Sequence, residues 1–133
     1  MDGGEAMIVA GVGFRRGVAA EEILTAVERA LSLGSLAQGR LACLATVESR
    51  AGEPGLVDAA HRLSLGIAAV SPGRLAEAEP RLATRSERVA RLYGVGSVAE
   101  AAALAAAGPE SRLVVPRVST GRATCAIATG AGR

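Results

Sequence analysis

Two adjacent arginines, Arg15 and Arg16, stand in a glycine-rich stretch, Ala6-Met-Ile-Val-Ala-Gly11-Val-Gly13-Phe-Arg15-Arg16-Gly17. A guanidinium presents a planar fork of donors that fits a carboxylate or a phosphate. Glycines at 11, 13 and 17 permit positive φ and let a ligand lie close to the backbone, and the amides that open a following helix add partial positive charge. Anion binding is the chemistry this stretch points to. The spacing G-x-G-x-x-x-G is not the dinucleotide fingerprint, and no acidic residue ends a second strand at the distance of about 20 residues that a nicotinamide or flavin site requires. Glu28 falls near that distance but inside a helical pattern, and Glu48 is too far along.

Three more groups have chemical potential. The loop Glu48-Ser-Arg50-Ala-Gly-Glu53-Pro54-Gly crowds two acids and an arginine against Gly and Pro, and Arg117 follows Pro116 at the end of an apolar run. Ser97-Val-Ala-Glu100 has the S-x-x-E spacing of a capping box, in which both side chains satisfy free helix amides. Capping is a sufficient role for the pair, with a ligand-facing Ser97 as the alternative. The lone His61 lies beyond the middle of a helical pattern and away from these loops. No Ser-His-Asp, Cys-His or metal-ligating cluster is evident, so the sequence predicts no metal site and no cofactor.

Composition narrows the partners. The 133 residues fit one domain, residues 1 to 133, and 50% hydrophobic content suffices for one core. Aromatics are only 2%, Phe14 and Tyr93, which disfavours base stacking on single-stranded nucleic acid. All 15 basic residues are arginine, scattered within a net charge of +2, so there is no footprint for duplex binding either. No apolar run approaches the roughly 18 residues of a spanning helix, and the expectation is a soluble, cytoplasmic protein without a membrane or nucleic-acid partner. Cys43 and Cys125 each fall in an apolar strand-like run, where free thiols are expected to be reduced and buried.

Elements must position these groups. Residues 1 to 5 read as a loose polar leader and Met7 to Val12 as a first strand. Ala20 to Leu33 reads as an amphipathic helix with Ile23, Leu24, Val27, Ala30 and Leu31 on one face, closed by Gly34. A second strand covers Leu41 to Val47, a helix opened by Pro54 runs to about Leu65 and is closed by Gly66, and a third strand covers Ile67 to Val70. Ser71-Pro72 starts a helix, while Ala76 to Arg85, broken by Pro80, reads as a surface loop. Ser86 caps a short helix to Tyr93, and Ser97 caps the Ala-rich Ala101 to Ala107. Arg112 to Val115 is a strand ended by Pro116-Arg117, and a short turn leads to Ala123 to Thr129, which must pair with it antiparallel. The expected fold is α/β, a three-layer α/β/α sandwich around a mixed, mostly parallel sheet of about five strands. Parallel strand ends would gather Gly11 to Gly17, Arg50, Glu53 and Arg117 at one edge.

In this order the segments resemble the CobE family, which matches the C-terminal domain of the CbiG proteins of cobalamin biosynthesis. The matching pieces are Gly11-Val-Gly13-Phe-Arg15-Arg16-Gly17, Arg50-Ala-Gly-Glu53-Pro54-Gly-Leu56, Gly94-Val-Gly-Ser97-Val-Ala-Glu100-Ala-Ala-Ala-Leu104, Leu113-Val-Val-Pro116-Arg117 and Ala123-Thr124-Cys-Ala-Ile-Ala128. They span nearly the whole chain. The family pattern usually has lysine where this chain has Arg50 and Arg117, so charge is kept but a titrating amine is not.

The resemblance implies a role in the corrin pathway, with a precorrin or corrinoid intermediate as ligand and other corrin-pathway enzymes as possible partners. A binding or auxiliary protein is the first reading: the ring's acetate and propionate groups suit Arg15, Arg16, Arg50 and Arg117, and loop residues Gly11, Gly13, Gly17, Glu53 and Ser97 complete the candidate site. The alternative is a hydrolase of a precorrin lactone, with Glu53 as base and Arg50 or Arg117 stabilising an oxyanion. Complete CbiG proteins, which carry further N-terminal regions, resemble enzymes that open the lactone of cobalt-precorrin-5A with release of acetaldehyde. A phosphate or nucleotide site at the first glycine loop is the third reading.

Overall fold

The run Met7–Phe14 forms β1, and five consecutive residues of it, Ile8 to Val12, are buried. A strand buried on both faces reads as a continuous apolar run and belongs in the middle of a covered sheet. That is where β1 lies in the computed structural model, which describes residues 6–132. The leader read over residues 1 to 5 lies outside the described residues.

From β1 the chain runs through α1 (Ala20–Leu33), β2 (Cys43–Val47), α2 (Pro54–Leu63), β3 (Gly66–Val70), α3 (Pro72–Ala78), α4 (Glu87–Tyr93), α5 (Val98–Ala107), β4 (Arg112–Thr120) and β5 (Ala123–Gly130). The sheet order is β3-β2-β1-β5-β4. β1, β2 and β3 pair in parallel, with Gly11 beside Ala45 and Ala45 beside Ala68. β5 runs against both neighbours, placing Phe14 opposite Ala123 and Leu113 opposite Ala128. The sheet is therefore mixed as expected. β5 alone opposes the other strands in direction, although the pairings divide equally between parallel and antiparallel.

Helices cover both faces. Ile23, Val27, Ala30 and Leu31 of α1 pack with Leu56 and Ala59 of α2 over Ile8, Ala10, Val12 and Ile127. On the opposite face, Ala101, Ala102 and Leu104 of α5 and Leu75 of α3 cover Val9, Ala45 and Val70. The Ala-rich surface of α5 brings its backbone close to the sheet at Gly11. A Cβ there would meet the Ala99 carbonyl and come within 2.7 Å of the Ala103 nitrogen. Gly11 thus lies inside β1 as a packing glycine, not in the loop that follows the strand. No single described helix is long and apolar enough to cross a membrane.

Four local expectations differ from the structure. The stretch read as a loop from Ala76 instead continues α3 to Ala78, and Pro80 sits in a 3₁₀ turn, Glu79–Arg81, where its missing N–H costs nothing. Leu75, Ala78 and Leu82 bury the inner side of this segment. α2 ends at Ser64 in the left-handed region, so Gly66 opens β3 instead of closing the helix. Pro116 does not end β4, because β4 is an edge strand with register shifts between Leu113 and Val118, and an edge tolerates a residue without a donor. Cys125 is fully buried, but Cys43 is only partly so: Val9 flanks it on the β1 side, while its neighbour on the β3 side is Gly66, which offers no side chain to cover it.

Candidate functional site: an arginine-lined cleft at one sheet edge

The carboxyl ends of β1, β2 and β4 and the amino end of β5 meet at one edge, where crossings on opposite faces diverge and α/β sheets open a crevice. A cleft of about 710 Å³ lies there. Gly13, Phe14, Arg15 and Arg16 line it from the end of β1, Thr46, Val47 and Arg50 from the end of β2, and Arg117, Gly121, Arg122 and Thr124 from the β4–β5 hairpin. Arg88, Val89, Leu92 and Tyr93 of α4, with Val98 of α5, form the remaining wall.

Of the described residues, six arginines and no carboxylate line this cleft. Among the described residues none of the six forms a salt bridge, whereas Arg62, Arg85 and Arg91 elsewhere do. Like charges gathered around one concavity focus a positive potential on whatever enters. Arg50 is held in place by a hydrogen bond that its Nε donates to the Tyr93 hydroxyl at 3.1 Å. The Thr46 hydroxyl is spent on the Val12 carbonyl at 2.8 Å, joining the ends of β1 and β2. Phe14 and Tyr93, the chain's two aromatic residues, both face the cleft, together with apolar surface from Val47, Val89, Leu92 and Val98. The arrangement suits a flat, partly apolar ligand edged with negative charge.

The sequence-derived candidates separate into two groups. Gly13, Arg15, Arg16, Arg50 and Arg117 line the cleft. Gly17, Glu53, Ser97 and Gly11 do not. Arg15 to Val18 forms a turn closed by the Val18 N–H on the Arg15 carbonyl, with Gly17 at φ +81°, a value that favours glycine. The Gly17 N–H donates to Glu53 Oε1 at 2.7 Å, so that amide already has an anion, and the carboxylate proposed as a general base already has a donor. Behind it the first turn of α2 is pressed onto the same loop, for a Cβ on Gly55 would run into the Val18 carbonyl. The Arg50-to-Leu56 motif thus docks one loop on the other, placing both on the same sheet edge.

Ser97 is fully buried and caps α5, its Oγ accepting the Glu100 N–H at 3.2 Å. The second half of the expected capping box is replaced. Glu100, 0% exposed, turns its carboxylate away from the helix: Oε1 accepts the N–H groups of Ala83 at 2.8 Å and Thr84 at 2.9 Å, and Oε2 accepts the Arg117 N–H at 2.9 Å. A buried carboxylate is tolerated where several donors satisfy it. This one fixes the backbone that presents Arg117 and the segment that leads into α4.

Arg88, Leu92, Arg122, Tyr93 and Phe14 escaped the sequence reading. The spacing of Arg88, Val89 and Leu92 placed a basic and apolar pair on one face of a short helix, and the rarity of aromatic residues marked Phe14 and Tyr93. His61 is exposed in the last turn of α2, away from the cleft. Among the described residues no group of three or more His, Cys, Asp or Glu is placed to hold a metal.

Known proteins share both the sequence pattern and this architecture. Residues 8–128 match the family described as cobalamin synthesis G C-terminus. Protein CobE from Sinorhizobium sp is 37% identical over 121 residues, covering 91% of this chain and 79% of that protein. The crystal structure of CobE, a protein from the cobalamin (vitamin B12) biosynthetic pathway, superimposes with a TM-score of 0.87 at 36% identity over 93% of this chain and 90% of that one. Cobalamin biosynthesis protein chiG from Agrobacterium tumefaciens str. C58 gives 0.73 at 40% identity, over 93% and 98%.

Proposed function

This chain belongs to the cobalamin synthesis G C-terminal family and is a cobalamin biosynthesis protein of the CobE/CbiG C-terminal type, and we propose from that premise that its cleft binds a precorrin or corrin-ring intermediate. The observation that carries this reading is the lining itself: among the described residues, six guanidinium groups, no carboxylate and both aromatic side chains around one opening. A corrin-type ring is an apolar macrocycle rimmed by acetate and propionate groups. Its rim takes charge-assisted hydrogen bonds from arginine, and its face takes Phe14, Leu92 and Val98. The volume lies within the range of clefts that enclose small ligands.

Binding is favoured over hydrolysis because Glu53 is engaged with Gly17 outside the cleft lining, and the described residues of the lining offer no carboxylate, histidine or thiol as base or nucleophile. The chain's work is to hold and orient a polyanionic ring, with Arg50 braced on Tyr93 and Arg117 fixed through Glu100.

Absorbance titration with hydrogenobyrinic acid, a metal-free corrin polycarboxylate, tests this reading, with ATP and NAD as controls and mass analysis of the recovered ligand. A saturable spectral shift with unchanged ligand mass is expected. Tight ATP or NAD binding without any corrin response would sink the reading in favour of a phosphate site, and a changed ligand mass would establish turnover.

A further inference from the structure

Among the described residues, α4 differs from every other α-helix of the fold in having no buried residue. Ser86 caps it and Gly94, at φ +78°, ends it. The two ends of the segment are pinned together: the Ser86 N–H donates to the Gly96 carbonyl at 2.8 Å, and the Gly96 N–H donates to Glu79 Oε2 at 3.2 Å. Gly96 also packs tightly on Arg85, since a Cβ there would lie 2.8 Å from three Arg85 atoms. Immediately before this neck, Glu100 holds Ala83 and Thr84. Between these anchors, among the described residues, the apolar side chains that α4 packs on the core are the part-buried Val89 and Tyr93. One side-chain hydrogen bond, Arg50 to Tyr93, ties it across the cleft. Leu92 is 67% exposed although it lines that cleft.

A helix with few buried apolar contacts, set on a fixed neck, opens at low free-energy cost, and elements that cover ligands are drawn from such regions. We infer that α4 is a flap that folds over the cleft ligand, delivering Leu92 onto its apolar face and Arg88 onto its charged rim. This rests on the reading of the cleft as a corrin site. The flap adds what that reading lacks. The free protein leaves a large apolar side chain in water, and closure on a ring face buries it. Arg88 moves with Leu92, so apolar cover and charge arrive together and a small anion without a ring gains only the charge. The Arg50–Tyr93 hydrogen bond is the natural latch, since it joins the flap's last residue to the cleft lining after the end of β2.

Hydrogen exchange on the wild-type protein tests the inference. Without ligand, the amides of Ala90 to Gly94 are expected to exchange at least about a hundredfold faster than those of α1. Saturating hydrogenobyrinic acid is expected to slow them about tenfold or more while the neck at Ala83, Thr84 and Gly96 is unchanged. Leu92→Ser, at an exposed position that folding does not need, is expected to weaken the absorbance-detected affinity about tenfold and remove most of that protection. Exchange of α4 as slow as α1 in the free protein overturns the flap. So does a spectral shift without added protection, which leaves the binding reading intact. No spectral shift at all removes the binding reading, and the flap falls with it.

Discussion

The Glu100 carboxylate and the Arg117 N–H meet at 2.9 Å, joining the first turn of α5 to the irregular stretch of β4 just after Pro116. Proline leaves that stretch without one ladder donor, and the register shift turns the next N–H out of the ladder. The buried carboxylate takes it. The same group holds Ala83 and Thr84, so one side chain sets two walls of the cleft, at Arg117 and at the base of α4.

Replacing Glu100 by Gln puts an amide NH2 among three backbone donors and leaves at least one of them unpaired. A loss of roughly 1–3 kcal/mol is expected, the cost of an unsatisfied buried polar group. Urea unfolding of E100Q checks it, and stability within about 0.5 kcal/mol of wild type would show that the three donors find water instead.

Arg50→Ala and Arg117→Ala are each expected to weaken corrin binding about ten- to a hundredfold, the equivalent of roughly 1.5–3 kcal/mol for one charge-assisted contact. Arg15→Ala and Arg16→Ala should lose less, because both side chains are exposed to solvent. Arg62, bridged to Glu21 and Asp58 on the surface, is the control. Equal losses for Arg62→Ala and Arg117→Ala would mean that only the overall charge matters.

Gly11→Ala and Gly17→Ala separate packing from turn geometry. The first forces α5 off the sheet and should cost more than about 2 kcal/mol, whereas the second places a side chain at positive φ in open space and should cost about 1 kcal/mol. Thermal unfolding of both variants provides the comparison, and the reverse ranking would contradict the close approach of α5 at Gly11.

Burial pushes the Cys125 thiol up to about 12 from its usual 9.0 and raises the partly buried Cys43 thiol in the same direction. The folded state therefore keeps a proton that the unfolded state releases above pH 9.0, and stability must fall as pH rises from 9.0 toward about 12. Between pH 9 and 10.5 the wild type should lose about 1–2 kcal/mol more than Cys125→Ala, at roughly 1.4 kcal/mol per pH unit for one group. Denaturant unfolding across that window measures it, and parallel curves for the two proteins would remove Cys125 as the source.

Signals that act over a few residues were legible without the fold. The 3.6-residue period of Ile23, Val27, Ala30 and Leu31 placed α1 at its observed ends. Ser71, Ser86 and Ser97 announced three helix starts, and the short turn before Ala123 required an antiparallel hairpin. That Arg15, Arg16, Arg50 and Arg117 gather at one edge was legible too, because each follows a strand and strands of one direction end together. What their neighbours do depended on chain segments that only folding brings together. Glu100 satisfies amides 16 and 17 residues away and Glu53 one 36 residues away, and spacing alone could assign neither, because a capping box and a long-range clamp look alike as S-x-x-E. Gly11 reads as a ligand glycine until the backbone of α5 is seen against it. Strand order made the site itself: with β1 between β2 and β5, the ends of separate strands and the exposed face of α4 share one opening, a juxtaposition that no local pattern encodes.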